Sequence, residues 1–265
     1  MARIMITGAT DGIGREAAKR LAEDGHDLVL HGRNPEKLAA VQSELADAPG
    51  KVSGAVADLS SFADVDALAA DVGANHAPLD ALINNAGVLK TTQEETTDGL
   101  DVRFMVNTIA PWRLTLALLP VMSRDARVIN LSSAAQAPVS LRALAGPPSL
   151  EAMEAYAQSK LAITMWTRHL ATELGDKGPV VVAVNPGSLL ASKMVKEGFG
   201  IPGKDIGIGA DILVRAATSD DFAHASGAYF DNDTGAFADP HPDAMDREKV
   251  TELVGVLERW RPAAG

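Results

Sequence analysis

Short apolar runs alternate with longer amphipathic segments along the 265-residue chain, and this alternation limits the folds open to it. Seven runs have the length of buried strands, and the segments between them repeat apolar residues at helical spacing. Because parallel strands need long crossover connections, the alternation is typical of a parallel sheet with helices on both faces. The predicted strands are 4–7, 27–31, 52–56, 81–84, 127–131, 180–184 and 228–230.

The remaining amphipathic segments predict helices at 12–24, 35–46, 62–74, 99–122, 151–174, 208–218 and 246–260. No low-complexity linker divides the pattern, so we expect one α/β domain over residues 1–265. Its predicted architecture is a Rossmann-type, doubly wound parallel sheet of about seven strands. Two long stretches rich in Pro and Gly, 134–150 and 188–207, are predicted to be functional loops on the substrate side.

The composition argues against several classes of partner. With 24 Lys and Arg against 35 Asp and Glu, the formal net charge is −11, which repels nucleic-acid phosphates and anionic membrane surfaces. The chain has no cysteine, so thiolate chemistry is not expected, and its six histidines show no metal-ligand spacing. The first strand leaves no room for a signal peptide, and no uninterrupted apolar stretch is long enough to cross a bilayer. We therefore expect a cytoplasmic protein without metal, nucleic acid or membrane partner.

A glycine-rich turn, Thr7-Gly8-Ala9-Thr10-Asp11-Gly12-Ile13-Gly14, joins the first predicted strand to the first predicted helix. In this position a pyrophosphate can lie against the helix N-terminus, where free amides favour anions. A tight connection without a ligand is the alternative interpretation.

The end of the second predicted strand bears on which dinucleotide would bind. An acidic residue there would hold the ribose 2′-hydroxyl of NAD, but the sequence reads Leu30-His31-Gly32-Arg33-Asn34. Arg33 instead suits a 2′-phosphate through charge-assisted hydrogen bonds. We predict a preference for NADP(H), with NAD(H) as the alternative; otherwise Arg33 is an ordinary surface residue.

Tyr156 and Lys160 stand four residues apart in a predicted helix, so they share a face. The ammonium of Lys160 would favour the charged form of the Tyr156 phenol and make it a usable acid and base near neutral pH. By itself the pair is also consistent with the edge of an amphipathic helix.

The glycine turn, Asn84-Asn85-Ala86-Gly87, Asn107, Ser132-Ser133 and Tyr156-x-x-x-Lys160 follow one another in a specific order. With this ordered set the chain resembles the short-chain dehydrogenase/reductase family over nearly its full length. The glycine spacing resembles the non-extended branch. The 23-residue separation of Ser133 and Tyr156, and the sequence Tyr156-Ala-Gln-Ser-Lys160-Leu161-Ala162, resemble the retinol-dehydrogenase-like group.

The resemblance implies a catalytic tetrad of Asn107, Ser133, Tyr156 and Lys160. Tyr156 would protonate the substrate oxygen, Ser133 would orient it, Lys160 would lower the pKa of Tyr156 and touch the ribose, and Asn107 would hold a relaying water. Neighbouring strand residues face opposite ways, so only one of the two serines can meet Tyr156, and the resemblance implies that it is Ser133. Alternatively, Ser133 caps a strand and Asn107 bonds backbone groups.

The resemblance also implies where the cofactor lies. Asp58 and Leu59 would be near the adenine, residues 84–87 would support the pocket, and residues 185–187 would lie beside the nicotinamide. Ser188 and Ser192 are offset candidates for the carboxamide contact. The full set of expected cofactor-binding residues is Gly8, Thr10, Asp11, Gly12, Ile13, Gly14, Arg33, Asp58, Leu59, Asn85, Ala86, Gly87, Tyr156, Lys160, Pro186, Gly187 and Ser188.

The predicted function is hydride transfer between NADP(H) and a small carbonyl or alcohol substrate. A non-catalytic dinucleotide sensor and a reductase of activated carbon–carbon double bonds are the rival interpretations. A hydrophobic substrate is favoured by the apolar loop residues Leu141, Leu144, Leu189, Leu190, Met194 and Phe199, and an acidic one ranks second through Arg142, Lys193 and Lys196. The apolar circumference of the helix predicted at 151–174 suggests a homo-oligomer, dimer or tetramer, unless the long loops block that face.

Overall fold

One eight-stranded sheet forms the centre of the protein in a computed structural model that describes residues 1–147, 149–191, 200 and 202–262. The strand order is β3-β2-β1-β4-β5-β6-β7-β8. The strands are β1 Arg3–Ile6, β2 Asp27–Gly32, β3 Val52–Val56, β4 Leu79–Asn84, β5 Met122–Leu131, β6 Val180–Asn185, β7 Tyr229–Asp231 and β8 Ala236–Ala238. Strands β1 to β7 are parallel, as predicted, so their carboxyl ends meet at one edge of the sheet.

The eighth strand was not predicted from the sequence. Strand β8 pairs antiparallel with β7 through a short turn, in which Gly235 adopts a φ of 72°. Its three residues are all exposed, so it carries no alternation between buried and exposed positions. A three-residue edge strand of this kind has no periodic signal to detect.

Helices cover both faces of the sheet. They are α1 Gly12–Glu23, α2 Pro35–Glu44, α3 Phe62–Asn75, α4 Val102–Phe104, α5 Ala110–Leu118, α6 Leu141–Leu144, α7 Ala152–Leu174, α8 Gly207–Thr218, α9 Pro242–Met245 and α10 Arg247–Leu257. Side chains of Ile4 and Ile6 pack under α1, α2 and α8, whereas Met5 packs in the core formed with α3, α5, α7 and α10. The strand order reverses between β1 and β4, which is where doubly wound folds bind ligands.

The helix predicted at 99–122 is divided in the structure. A π-helical turn, Met105–Ile109, separates α4 from α5, and a 3₁₀ turn follows at Leu119–Val121. Pro111 has no N–H to donate to the carbonyl of Asn107, so the regular α-helical ladder is broken there. Strand β5 then begins at Met122, five residues before its predicted start.

One helical segment, Val102–Val121, is long and apolar enough to cross a bilayer by length and composition, but Arg103 and Arg113 interrupt its apolar run. It therefore does not contradict the expectation that no uninterrupted apolar stretch is long enough. In the structure, 67% of this segment's most apolar window is buried inside the protein. The segment also contains Arg103, which is fully buried and donates to both carboxylate oxygens of Asp101 at 2.9 and 2.7 Å. Its apolar character fits a core helix of this domain.

The apolar circumference of α7 also has an explanation within one chain. Helix α7 packs against β5 and β6 on one side and against α9 and α10 on the other. Its Met165 and Trp166 belong to the same core as Leu253 and Leu257 of α10. The face that suggested a subunit interface is therefore covered by the chain's own last helices.

Candidate active site

A cavity of about 470 Å³ opens along the carboxyl ends of six neighbouring strands, β3 to β6 in the order of the sheet. Each strand contributes residues at or directly after its end, so segments far apart in sequence converge. Fourteen of the expected cofactor residues line it: Gly8, Thr10, Asp11, Gly12, Ile13, Arg33, Asp58, Leu59, Asn85, Ala86, Gly87, Tyr156, Lys160 and Pro186. Gly14, Gly187 and Ser188 are not among its lining residues.

The glycine turn is held in shape by Asn85. Its Nδ2 donates to the carbonyls of Thr7 and Gly8 at 2.8 and 3.0 Å, and Gly8 and Gly12 adopt φ values of 67° and 57°. A Cβ on Gly14 would lie 2.3 Å from Asn85 Nδ2 and 2.4 Å from the Gly8 carbonyl oxygen. Gly14 thus lets α1 approach the turn closely, and Asp11 caps that helix by accepting from the Gly12 N–H.

His31 was not expected to belong to the site, yet it lines the cavity beneath the glycine turn. Its Nδ1 accepts from the Gly8 N–H at 3.2 Å, and its Nε2 lies 3.0 Å from the Ala57 carbonyl oxygen. These partners require a neutral ring with the proton on Nε2. Burial, the largest cause, lowers the pKa of His31, so the neutral ring is favoured.

Two cations occupy the end of the cavity beyond β2. Arg33 and Lys37 both line it and both are exposed. Among the described lining residues the acids are Asp11 and Asp58, and Asp58 already accepts from the backbone and hydroxyl of Ser60. Lys37 was missed by the sequence reasoning, although its place one turn into α2 was a usable signal. This end of the cleft suits an anion such as a 2′-phosphate.

Lys160 and Tyr156 project from α7 at the opposite end of the cavity. The Nζ of Lys160 donates to the Leu131 carbonyl at 2.7 Å and lies 5.7 Å from the centroid of the Tyr156 ring. Burial lowers the pKa of Lys160 to about 8. Burial also raises the pKa of Tyr156, and the hydrogen bond with Ser133 opposes that rise. The net direction for Tyr156 is opposite to the one expected from a neighbouring ammonium, because desolvation of the phenolate dominates.

Asn107 sits in the π-helical turn and is fully buried. Its Oδ1 accepts from the Val88 N–H at 2.8 Å, and its Nδ2 donates to the Val88 carbonyl at 3.0 Å and to Ser159 Oγ at 2.9 Å. A Cβ on Gly87 would lie within 3.5 Å of both Asn107 Oδ1 and Lys160 Nζ. Asn107 therefore ties the residues after β4 to α7, while the water-relay role stays a prediction.

The two adjacent serines face different surroundings. Ser132 Oγ is buried 2.7 Å from Thr164 Oγ1 and donates to the Lys160 carbonyl at 3.1 Å, within the helix packing. The Ser133 side chain instead acts on Tyr156, where it lowers the pKa of the phenol against the effect of burial. Ser133 is thus the serine in contact with the candidate acid, although its catalytic role stays a prediction.

Ser188 makes contacts other than the expected cofactor contact. Its backbone N–H and its hydroxyl donate to the two carboxylate oxygens of Asp233 at 2.9 and 2.5 Å. Asn185 Nδ2 donates to Asp231 and Asp233 at 2.8 and 3.0 Å, so the β7–β8 turn anchors the segment that carries Pro186. Ser192 lies outside the described residues.

The sheet, the turn and the Tyr156 end of the cleft together define a dinucleotide-binding α/β oxidoreductase. The short chain dehydrogenase family model matches residues 2–199 of the chain. The chain belongs to the short-chain dehydrogenase family, within its retinol-dehydrogenase-like group, and is an NAD(P)-dependent enzyme acting on alcohol or carbonyl groups.

Relatives match most of the chain. Retinol dehydrogenase 13 of Homo sapiens is 30% identical over 278 residues, covering 94% of this chain and 81% of the relative. Short-chain dehydrogenase chry4 of Gibberella zeae is 31% identical, covering 97% and 96%.

Solved structures show the same fold. An uncharacterized protein from Mycobacterium paratuberculosis superposes with a TM-score of 0.82 at 24% identity, over 98% of this chain and 93% of the other. A short chain dehydrogenase from Escherichia coli CFT073, complexed with NADPH, gives a TM-score of 0.71 at 29% identity, over 87% and 96%.

Proposed function

We propose that the protein is an NADP(H)-preferring carbonyl reductase or alcohol dehydrogenase of small hydrophobic substrates, with Tyr156 as the acid and base. The observation that carries the proposal is one continuous cleft with different chemistry at its two ends. Arg33 and Lys37 lie at one end, and Tyr156 and Lys160 lie at the other. A dinucleotide that spans the cleft would bring its reactive ring to Tyr156.

The residues present fit that cofactor. Gly8, Gly12 and Gly14 let the turn and the start of α1 approach a pyrophosphate, and the cleft extends from there to the pair of cations. Arg33 and Lys37 would hold a 2′-phosphate, whereas a carboxylate at that strand end would repel it. When bound, the reduced nicotinamide supplies a hydride to the substrate carbonyl.

Side chains of the protein then supply the proton that the substrate oxygen needs. Negative charge grows on the substrate oxygen during reduction, and the Tyr156 O–H donates its proton there while the Ser133 hydroxyl donates a hydrogen bond. Burial keeps Tyr156 protonated at neutral pH, which is the form that reduction needs. Lys160, with a pKa of about 8, is mainly an ammonium below that pH and stabilises the phenolate left after transfer.

A hydrophobic substrate is supported by the names of relatives such as retinol dehydrogenase 13. The apolar residues of the two predicted substrate loops support a hydrophobic substrate only in part. Leu144 and Leu190 are buried in the described structure and are not available to a substrate, whereas Leu141 is half-buried and Leu189 is exposed. Met194, Phe199, Lys193 and Lys196 lie outside the described residues, and Arg142 is exposed.

A cytoplasmic location is part of the proposal, supported by the net charge of −11.

The test is oxidation of NADPH by the purified protein in the presence of aldehydes and ketones of graded hydrophobicity. Tyr156→Phe removes one oxygen and should lower kcat about 10²- to 10⁴-fold, the usual contribution of a positioned acid, with the Kd for NADPH little changed. Wild-type turnover in this variant would contradict the assignment. Binding without turnover of any substrate would favour the sensor, and a saturated product from an activated alkene would favour double-bond reduction.

A further inference from the structure

The chain contains two tyrosines, and both interact with Ser133. The Ser133 side chain lowers the pKa of Tyr156, and the Tyr229 hydroxyl donates to the Ser133 carbonyl oxygen at 3.2 Å. Gln136 Nε2 donates to the same carbonyl at 2.9 Å. Ser133 is therefore held at its backbone by two donors while its side chain meets the candidate acid.

Ser133 needs this support because it lies beyond the regular part of the sheet. Strand β5 ends at Leu131, and Ser132 makes the last bond to β6 through its N–H to the Val184 carbonyl at 2.9 Å. The carbonyl of Ser133 lies beyond the hydrogen-bond ladder between β5 and β6. It therefore needs hydrogen-bond donors from other parts of the chain. Tyr229 of β7 is 6% exposed, so its hydroxyl also needs a partner.

A hydrogen bond from the backbone also fixes the position of the Ser133 hydroxyl. Its Oγ accepts from the Ala135 N–H at 3.1 Å, which uses one lone pair. The hydroxyl proton is then free to be donated toward Tyr156, or to a substrate oxygen that lies beside Tyr156. Gln136 Oε1 accepts from the His241 N–H at 3.4 Å, which links this turn to the start of α9.

We infer that Tyr229 and Gln136 are positioning residues for the reaction, holding the Ser133 carbonyl so that the Ser133 hydroxyl stays directed at Tyr156. This inference rests on the proposed function for the importance of Ser133 and Tyr156. It adds two residues from outside the expected tetrad, one of them 96 positions away from Ser133 in the sequence. Burial raises the pKa of Tyr229, so its hydroxyl stays a neutral donor through the working pH range.

The first test is Tyr229→Phe, which removes only the donor. We expect kcat to fall about 3- to 10-fold, as for loss of one neutral hydrogen bond, with the Kd for NADPH unchanged. Phe230→Leu is the matched control: Phe230 neighbours Tyr229 in β7 but packs on Phe222 and Phe237, so it should lower the thermal midpoint and leave kcat near wild type. An unchanged kcat in Tyr229→Phe would overturn the inference.

A second test needs no turnover. With tyrosine labelled by ¹³C at the ring Cζ, wild type gives two signals and Tyr229→Phe leaves Tyr156 alone. We expect Tyr229→Phe to shift the Tyr156 signal when Ser133 is present and to leave it unshifted in a Ser133→Ala background, since the effect passes through Ser133. An equal shift in both backgrounds, or none in either, would contradict the inference. If Tyr229→Phe does not fold, Gln136→Met tests the same carbonyl.

The proposed function and the positioning role of Tyr229 and Gln136 can be refuted independently of each other. If Tyr156→Phe keeps full turnover, the proposed function is wrong whatever Tyr229→Phe does. If Tyr156→Phe loses turnover while Tyr229→Phe shows neither the kinetic nor the spectroscopic effect, only the positioning role is wrong.

Discussion

Arg33 lies with Lys37 at the end of the cleft that is proposed to bind the 2′-phosphate, the group by which NADPH differs from NADH. Substituting Arg33→Asp should lower NADPH affinity roughly 10- to 100-fold, because a hydrogen bond to a charged group contributes about 1.5–3 kcal/mol. NADH affinity should rise, since a carboxylate can bond the ribose hydroxyls. The measurement is the ratio of the two Kd values by fluorescence titration.

The matched control is Arg124→Asp, which makes the same charge change at an exposed position near the start of β5. That position lies at the amino end of the strand, away from the cleft, so the ratio should stay as in wild type. An equal change in both variants would mean that overall charge, rather than a contact of Arg33, sets the preference.

His31 makes the stability of the cofactor end depend on pH. Burial lowers its folded-state pKa below the ordinary value of 6.5, so the unfolded chain takes up the proton first as pH falls. The stabilisation is complete above the unfolded pKa and is lost as pH falls through the lower folded pKa. We expect the thermal midpoint to decline from about pH 7 to pH 5, and to decline less in His31→Asn, which does not titrate.

His224→Asn provides the comparison, because it makes the same substitution at an exposed position of the structure. A slope in His31→Asn identical to that of wild type would show that His31 titrates normally in the folded protein.

At the scale of the elements, two helical glycines carry opposite expectations. Gly14→Ala, in the first turn of α1, should lower the free energy of unfolding by about 1–3 kcal/mol, since its Cβ would meet Asn85 and the Gly8 backbone. Gly255→Ala, at an exposed position in the last turn of α10 with nothing within 4 Å, should raise it by about 0.5–1 kcal/mol. Urea unfolding measures both. Gly14→Ala should also weaken NADPH binding, and wild-type stability and binding in this variant would contradict the close approach.

The sequence predicted those elements whose signal is local. Tyr156 and Lys160 share a helical face because they are four residues apart, and the glycine turn is recognisable between one strand and one helix. The contacts of His31 with Gly8 and of Tyr229 with Ser133 join segments 23 and 96 residues apart, so no local pattern records them. The π-helical turn around Asn107 and the exposed strand β8 were missed for the same physical reason: neither leaves a periodic pattern.

For the whole molecule, the alternation of strands and helices was sufficient to predict a doubly wound sheet, because crossover connections between parallel strands allow few arrangements. The alternation was not sufficient to predict which elements pack on the outer side of each helix. The apolar circumference of α7 suggested a subunit interface, whereas α9 and α10 cover part of it within the same chain, so the homo-oligomer stays a prediction. Sequence periodicity shows that a helix is buried, but not which neighbour buries it.

The packing of α9 and α10 on α7 affects how the enzyme behaves at low concentration. The outer side of the helix carrying Tyr156 and Lys160 is packed by the same chain's last two helices. A second copy is then not required to bury this side of the helix. We expect the rate per molecule to stay constant on serial dilution, and a rate that falls with dilution would show that a second copy contributes to the active state.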